Sequence, residues 1–118
     1  ISPSVIMPNE VQISPGTIIM PNVKISFDVK IGKCSFILWG ALLGHNVHVL
    51  DYSTIMSSSN LLAGSSIGGM SIIGTGANIN INVSIGERCF VGIGTTVLKN
   101  LGDFQKAISL PRQIITKN

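Results

Sequence analysis

Residues 67–96 read IGGMSI, IGTGAN, ININVS, IGERCF and VGIGTT, five successive hexapeptides that each open on Ile or Val. Extended in both directions by steps of six, this register meets an aliphatic residue or Met at all seventeen positions from Ile1 to Val97, without an insertion. A second column, four residues further on, holds only small or β-branched residues from Val5 to Thr95. A helical period of 3.6 residues cannot produce these two columns, so the sequence indicates a repeat structure with a unit of six residues.

The repeat predicts a three-sided prism in which each hexapeptide contributes a short strand and a corner. Both columns point inward, and the glycines that often follow the aliphatic residue are expected to relax the backbone at the corners. Three hexapeptides make one coil, and coils stack about 4.8 Å apart by parallel pairing. Residues three hexapeptides apart therefore lie above one another. The predicted fold is an all-β parallel β-helix of between five and six coils over residues 1–102, with a C-terminal tail over residues 103–118.

The composition excludes several classes of protein. The length of 118 residues allows one domain, and the net charge of +3 is too small to indicate a nucleic-acid partner. No apolar run approaches the roughly 18 residues of a membrane span, and no signal-peptide pattern opens the chain. Two cysteines give no disulfide framework, so we expect a reducing, cytoplasmic location.

The repeat also resembles a known group of proteins. The stretch from Gly44-His45-Asn46 to Gly64, with the segments 73–77 (IGTGA) and 85–94 (IGERCFVGIG), is similar to the hexapeptide-repeat acyltransferase superfamily. Within it, the resemblance is to sialic-acid O-acetyltransferases and bacterial amino-sugar N-acetyltransferases. It implies a left-handed β-helix, although parallel crossovers are usually right-handed. Members usually carry an N-terminal nucleotide-sugar-binding domain, so a chain that opens at Ile1 is expected to be a fragment of a longer protein.

The resemblance implies an acetyl-CoA-dependent transfer to an amino or hydroxyl group of a sugar, which we expect to be nucleotide-activated. Such a transfer needs a base, and a neutral imidazole can take up a proton at neutral pH. His45 stands in a corner after Gly44, where the resembled group has its catalytic base. His48, the other histidine, matches no fixed role in the group and is expected to be an ordinary surface residue.

Two further site elements are expected around His45. Relatives often have a carboxylate after the histidine, where this chain has Asn46; Asp28 lies three hexapeptides before Asn46 and is the alternative residue to orient the base. The oxyanion donor in the group is a backbone N–H one coil above the base, which corresponds to Ala63 or Gly64.

Acetyl-CoA is expected to run along the prism axis and to contact one residue per coil. The resemblance places Ser57, Thr75 and Ile93 in this groove, with Thr54 from a neighbouring corner. Basic residues of the last third, Lys99 and Arg112 among them, would attract the phosphates of CoA. Residues 107–112 (AISLPR) resemble the closing segment of the group in part.

Large apolar residues outside the inward columns predict a homotrimer with active sites between subunits. They are Phe36, Leu38, Trp39, Leu42, Leu50, Met56, Leu62, Met70, Ile72 and Ile81. Exposed together, they would form a patch larger than soluble monomers normally tolerate, and a closed three-fold ring would bury them. The alternative is that they contact an N-terminal domain, and the tail is expected to pack on the helix or on a neighbouring subunit.

Two other functions compete with the acyltransferase. The γ-class carbonic anhydrases share the fold but need three zinc-binding histidines, and this chain has only His45 and His48, so no metal site is expected. A non-catalytic β-helix that serves as a trimerisation module is the stronger alternative, favoured by the missing carboxylate at Asn46.

Overall fold

The computed structural model describes residues 1–8, 10–110 and 113–117, which form sixteen two-residue strands and no helix. The strands are β1 (Gln12–Ile13), β2 (Ile18–Ile19), β3 (Lys24–Ile25), β4 (Lys30–Ile31), β5 (Phe36–Ile37), β6 (Leu42–Leu43), β7 (His48–Val49), β8 (Thr54–Ile55), β9 (Asn60–Leu61), β10 (Ser66–Ile67), β11 (Ile72–Ile73), β12 (Asn78–Ile79), β13 (Ser84–Ile85), β14 (Phe90–Val91), β15 (Thr96–Val97) and β16 (Lys106–Ala107). No helix in this part of the chain could therefore cross a membrane.

Among β1 to β15, strands three places apart pair in parallel, and β16 pairs with β14, so the strands form three sheets that are the faces of a prism. The Lys24 face contains β3, β6, β9, β12 and β15; the Lys30 face contains β1, β4, β7, β10 and β13. The Phe36 face contains β2, β5, β8, β11, β14 and β16. Pairing partners such as Leu42 and Asn60 are three hexapeptides apart. The predicted all-β parallel β-helix is confirmed, and the arrangement is consistent with left-handed winding.

Both inward columns form the core. Every member of the aliphatic column from Ile19 to Val97 is at most 5% exposed. The small column contains a hydroxyl ladder, which we define as Thr17, Ser35, Ser53 and Ser71. The Ser53 hydroxyl donates to the Gly68 carbonyl at 2.8 Å, and the Ser71 hydroxyl accepts from the Cys89 N–H at 3.0 Å. The ladder explains small polar residues in a core, because each hydroxyl is paired with backbone of a neighbouring coil.

The glycines that follow the aliphatic residue do not relax the corner backbone as the sequence analysis expected. The left-handed backbone falls at the fourth residue of the hexapeptide, at every corner from Gly16 to Gly94, with φ between 52° and 79°. The glycines at the second position serve close packing between coils instead. A Cβ on Gly44 would stand 2.9 Å from the Ala63 nitrogen in the coil above, which is too close for any other residue without a backbone shift.

The β-helix continues past residue 102, where the sequence placed the start of the tail. Lys106–Ala107 pairs with Phe90–Val91, although the two strands are closer along the chain than three full hexapeptides, because the corner after β15 is shortened. Beyond β16, the Ser109 N–H donates to the Thr95 hydroxyl at 3.1 Å. Leu110, Ile114 and Ile115 are 86–88% exposed, so these side chains do not pack on the β-helix of their own chain.

Candidate active site

His45 stands in the corner that links β6 on the Lys24 face to β7 on the Lys30 face. Backbone hydrogen bonds stack this corner on its neighbours: the Asn46 N–H donates to the Phe27 carbonyl at 3.1 Å, and the Gly64 N–H to the His45 carbonyl at 2.9 Å. We call the column of third residues here the His45 corner; it consists of Phe27, His45, Ala63, Ile81 and Lys99.

Two side chains fix the His45 ring. Its Nδ1 lies 2.9 Å from the Asn46 Oδ1. An amide oxygen only accepts, so this contact needs the proton on Nδ1, which in the neutral ring leaves Nε2 to accept one. The Phe27 ring stacks on the imidazole, with 4.9 Å between centroids and an angle of 2° between planes. Asn46 has a φ of 59°, a conformation that asparagine tolerates better than most residues.

The two residues predicted to orient His45, Asn46 and Asp28, differ in their contacts with the imidazole ring. Asn46 contacts the ring directly, whereas no hydrogen bond joins Asp28 to His45 within the described ranges. Phe27, which the sequence reasoning missed, takes the position below the His45 ring instead. The available signal was the spacing: Phe27 lies three hexapeptides before His45 and so one coil directly beneath it.

Only one of the two predicted backbone donors keeps a free N–H. The Gly64 N–H is already used by the His45 carbonyl. The Ala63 N–H has no acceptor among the residues that the structure describes. A Cβ at position 44 would lie 2.9 Å from the Ala63 nitrogen, so the glycine leaves space beside this donor. His45 and this backbone donor therefore lie on successive coils of one corner, an arrangement that can supply a proton acceptor and an oxyanion donor.

An open cavity of about 390 Å³ borders His45 on the N-terminal side, along the Lys24 face. Its lining is Ile6, Lys24, Ile25, Ser26, Leu42, Leu43, Gly44 and His45. A second cavity, of about 200 Å³, lies on the Lys30 face and includes Lys30 and His48 in its lining. His48 points outward from β7 and is exposed, so the two histidines lie on different surfaces of the prism.

The predicted CoA residues stack as expected, but on another corner. Ser57, Thr75 and Ile93 follow one another between the Phe36 and Lys24 faces: the Gly76 N–H donates to the Ser57 carbonyl at 3.0 Å, and the Gly94 N–H to the Thr75 carbonyl at 2.9 Å. Thr54 points outward from the Phe36 face. One face separates this corner from His45 in the same chain, a distance of about 20 Å at most for six extended residues.

Lys99 shares a corner with His45. It lies three coils above His45, a rise of about 14 Å at the spacing of stacked strands. Arg112 lies outside the described residues. Within the described ranges, no group of three His, Cys, Asp or Glu side chains could hold a metal ion.

Several solved structures are similar to this chain. A histidine-to-asparagine variant of perosamine N-acetyltransferase from Caulobacter crescentus, in complex with CoA and GDP-perosamine, is 30% identical with a TM-score of 0.90; the match covers 99% of this chain and 56% of that one. A variant of AntD, an N-acyltransferase from Bacillus cereus in complex with dTDP and coenzyme A, is 20% identical with a TM-score of 0.85, covering 100% and 80%.

A third similar structure is the acetyltransferase domain of PglB from Neisseria gonorrhoeae, in complex with acetyl coenzyme A. It is 19% identical with a TM-score of 0.61, and the match covers 95% of this chain and 58% of that one. No protein-family model and no curated protein matches the sequence. The chain thus spans little more than half the length of the perosamine enzyme, and the predicted resemblance to sugar N-acetyltransferases of the hexapeptide-repeat type is confirmed.

Proposed function

We propose that this chain is the catalytic β-helix of an acetyl-CoA-dependent acetyltransferase that acts on the amino group of a nucleotide-linked sugar. The observation that carries the proposal is the His45 ring, held by Asn46 and Phe27 with Nε2 free, beside the unused N–H of Ala63. Support also comes from the similar structures, which hold CoA with GDP-perosamine in one case and with dTDP-4-amino-4,6-dideoxyglucose in another.

The chemistry follows from these positions. Nε2 of His45 takes a proton from the acceptor amine as the amine nitrogen attacks the thioester carbonyl carbon. The carbonyl oxygen becomes an oxyanion, which the Ala63 N–H stabilises by donation. The tetrahedral intermediate collapses with cleavage of the C–S bond, and the imidazolium returns its proton to the leaving thiolate. The products are the acetamido sugar and free CoA.

A homotrimer completes the proposed site. His45 and the column of Ser57, Thr75 and Ile93 lie on different corners of one chain, so they can meet only if a second copy supplies one of them. In a three-fold ring each contact between subunits joins two different surfaces, so it can bring His45 of one subunit to the Ser57, Thr75 and Ile93 column of the next. We assign acetyl-CoA to the resulting cleft, with Thr54 beside the column and with Lys99 and Arg112 as partners for its phosphates.

The proposed setting is the cytoplasm. Cys34 is exposed and Cys89 is buried, and both are free thiols, which fits a reducing compartment.

A thiol-release assay tests the function. The chain is mixed with acetyl-CoA and a panel of nucleotide-linked amino sugars, and free CoA is measured with a thiol reagent, with acetyl-CoA binding followed separately by calorimetry. Thiol release that depends on one class of acceptor supports the enzyme. The absence of both release and acetyl-CoA binding would instead support the non-catalytic trimerisation module.

A further inference from the structure

The second cavity, which we call the Lys30-face cavity, shares no lining residue with the cavity beside His45. It measures about 200 Å³, and its polar side chains are Gln12, Ser14, Lys30 and His48; the rest of its lining is aliphatic residues and a glycine. The proposed acetyl transfer uses none of these residues. Because sites for whole small molecules begin at about 300 Å³, this cavity suits a small chemical group.

All four polar side chains of the Lys30-face cavity can donate hydrogen bonds. Lys30 carries an ammonium, Gln12 an amide and Ser14 a hydroxyl, and the imidazole of His48 has at least one ring N–H. No carboxylate belongs to this lining in the part of the chain that the structure describes. Such a set of donors matches a ligand that has a negative charge and several acceptor oxygens, because a neutral ligand would leave the ammonium without a counter-charge.

Strand pairing brings three of these donors into one column. Gln12 pairs with Lys30, and Lys30 pairs with His48, so their side chains point outward from successive coils about 4.8 Å apart. Hydrogen bonds of about 2.8 Å from either side let one small anion bridge neighbouring coils. A tetrahedral oxyanion presents oxygens in more than two directions, so it can face three coils, whereas a carboxylate offers only two oxygens.

The positive charge in this column has no partner within the chain. Neither Lys30 nor His48 forms an ion pair with a carboxylate among the described residues. Asp51, on the corner that follows, accepts the backbone N–H of Lys33 at 2.9 Å, and Asp28, on the corner before, forms no ion pair. The column is therefore open to an anion from solution.

We infer that the Lys30-face cavity is a binding site for a phosphate group, taken as free phosphate or as the end group of a phosphomonoester. The Lys30 ammonium supplies the charge, and the Gln12 amide and the His48 ring N–H donate from the coils below and above. The inference is independent of the proposed acetyl transfer, because the site lies on another face and holds its ligand without entering that reaction.

A titration followed by NMR tests the site, because the chain has only two histidines and their imidazole signals can be assigned with the His48→Ala variant. The full chain is titrated with inorganic phosphate, and separately with glucose 1-phosphate, at constant pH and ionic strength. We expect the His48 ring signal to shift and saturate while the His45 signal moves much less. Saturation by inorganic phosphate shows that the free anion is enough, and saturation by glucose 1-phosphate alone shows that the site requires the ester; both results support it.

Three variants identify the groups that bind. Lys30→Gln should weaken the Kd for phosphate about tenfold, the low end for a hydrogen bond to a charged group, because the cavity is open to solvent. Lys24→Gln is the matched control: it removes the same charge from the same strand position on another face, and it should leave the Kd unchanged. Gln12→Glu puts a carboxylate into the lining and should abolish saturation by charge repulsion.

Two results would overturn the phosphate site. The first is a His48 signal that does not shift or that shifts without saturating, since neither reports a bound anion. The second is an equal loss of affinity in Lys24→Gln and Lys30→Gln, which would show a general effect of net charge. Neither result bears on the proposed function, because thiol release is measured separately.

Discussion

The imidazole of His45 is held from the side by an amide and from below by an aromatic ring, and neither partner belongs to a strand. Both contacts arise from the corner geometry. Asn46 is the next residue in the chain, and Phe27 is the residue one coil beneath. At this scale the site depends on the corners of two successive coils, and the variants below separate the base from the residue that positions it.

His45→Ala should lower the rate of acetyl transfer by about 10²- to 10⁴-fold, the usual contribution of a general base. Because the side chain is exposed, the melting temperature should barely change. His48→Ala is the control and should leave the rate nearly intact. Steady-state thiol release measures both, and equal behaviour of the two variants would show that the base is assigned wrongly.

Asn46→Gly should lower kcat by about fivefold with both KM values unchanged. The variant loses the acceptor of the Nδ1 proton, a hydrogen bond worth about 1 kcal/mol, while glycine adopts the φ of 59° at this position without strain. Asn46→Asp keeps an acceptor and should retain most of the rate. If the glycine variant keeps its full kcat, Asn46 does not position His45.

The repeating coil makes the effect of core serines predictable at the scale of the element. Ser53 and Ser65 are both at most 1% exposed in the small inward column. The Ser53 hydroxyl donates to the Gly68 carbonyl, whereas the Ser65 hydroxyl has no partner among the described residues and lies between Val47 and Val83. One hydroxyl is therefore satisfied and the other is not.

Ser53→Ala should lower the free energy of unfolding by about 1 kcal/mol, because the Gly68 carbonyl loses a buried donor. Ser65→Ala should raise it by about 1 kcal/mol, because an unsatisfied hydroxyl is removed from the core. Denaturant unfolding of the two variants beside the wild type measures both changes. Shifts of the same sign would contradict the hydrogen bonding described for the two serines.

The six-residue period was enough to predict the elements, because the alternation of inward and outward side chains is local and Ile19 to Val97 never leaves the register. The short corner after β15 was not predictable in this way. Residues 98–100 replace a longer turn, and the pairings of Leu101 with Ile85 and of Lys106 with Phe90 show that the helix resumes early. The role of Gly44 was also missed, since it depends on the coil above and not on the local chain.

The relative positions of the candidate site residues were predictable within one column and not between corners. His45, Ala63 and Lys99 are separated by whole coils, so the sequence alone placed them in line. Whether Ser57 or Thr75 can approach His45 depends on contacts between chains, which no spacing within one chain can supply. The same spacing within the column also places Phe27 next to His45, but an aromatic side chain does not by itself indicate a role in catalysis.

At the scale of the whole molecule, the Phe36 face is apolar and the other two faces are mostly polar. Its outward residues Ile18, Phe36, Ile72 and Phe90 are 39–47% exposed, and Trp39 beside them is 51% exposed. An apolar surface of this extent on one side of a narrow prism is typical of a subunit interface. The predicted trimer would bury it.

Light scattering at micromolar concentration should give three times the chain mass of 12.5 kDa. Phe36→Lys places a charge in the apolar face and should shift the mass toward that of one chain, because burial of an unpaired ammonium is costly. Lys30→Gln, on a polar face, should leave the mass unchanged. A wild-type mass equal to that of a single chain would contradict the trimer and leave the apolar face to another partner.

The uniform stacking of coils also restricts how this protein can change in length. The rise from His45 to Lys99 is a whole number of coil spacings, so this distance can change only in steps of about 4.8 Å. Adding or deleting three hexapeptides between these two residues keeps every inward side chain inward. It moves the Lys99 ammonium by one coil spacing relative to the His45 imidazole. A single hexapeptide added or deleted also keeps the inward columns inward, but it moves the following residues to the next face, so that Lys99 would leave the His45 corner. The reach of the site along its axis can therefore evolve only in discrete steps, each of which exchanges one complete coil.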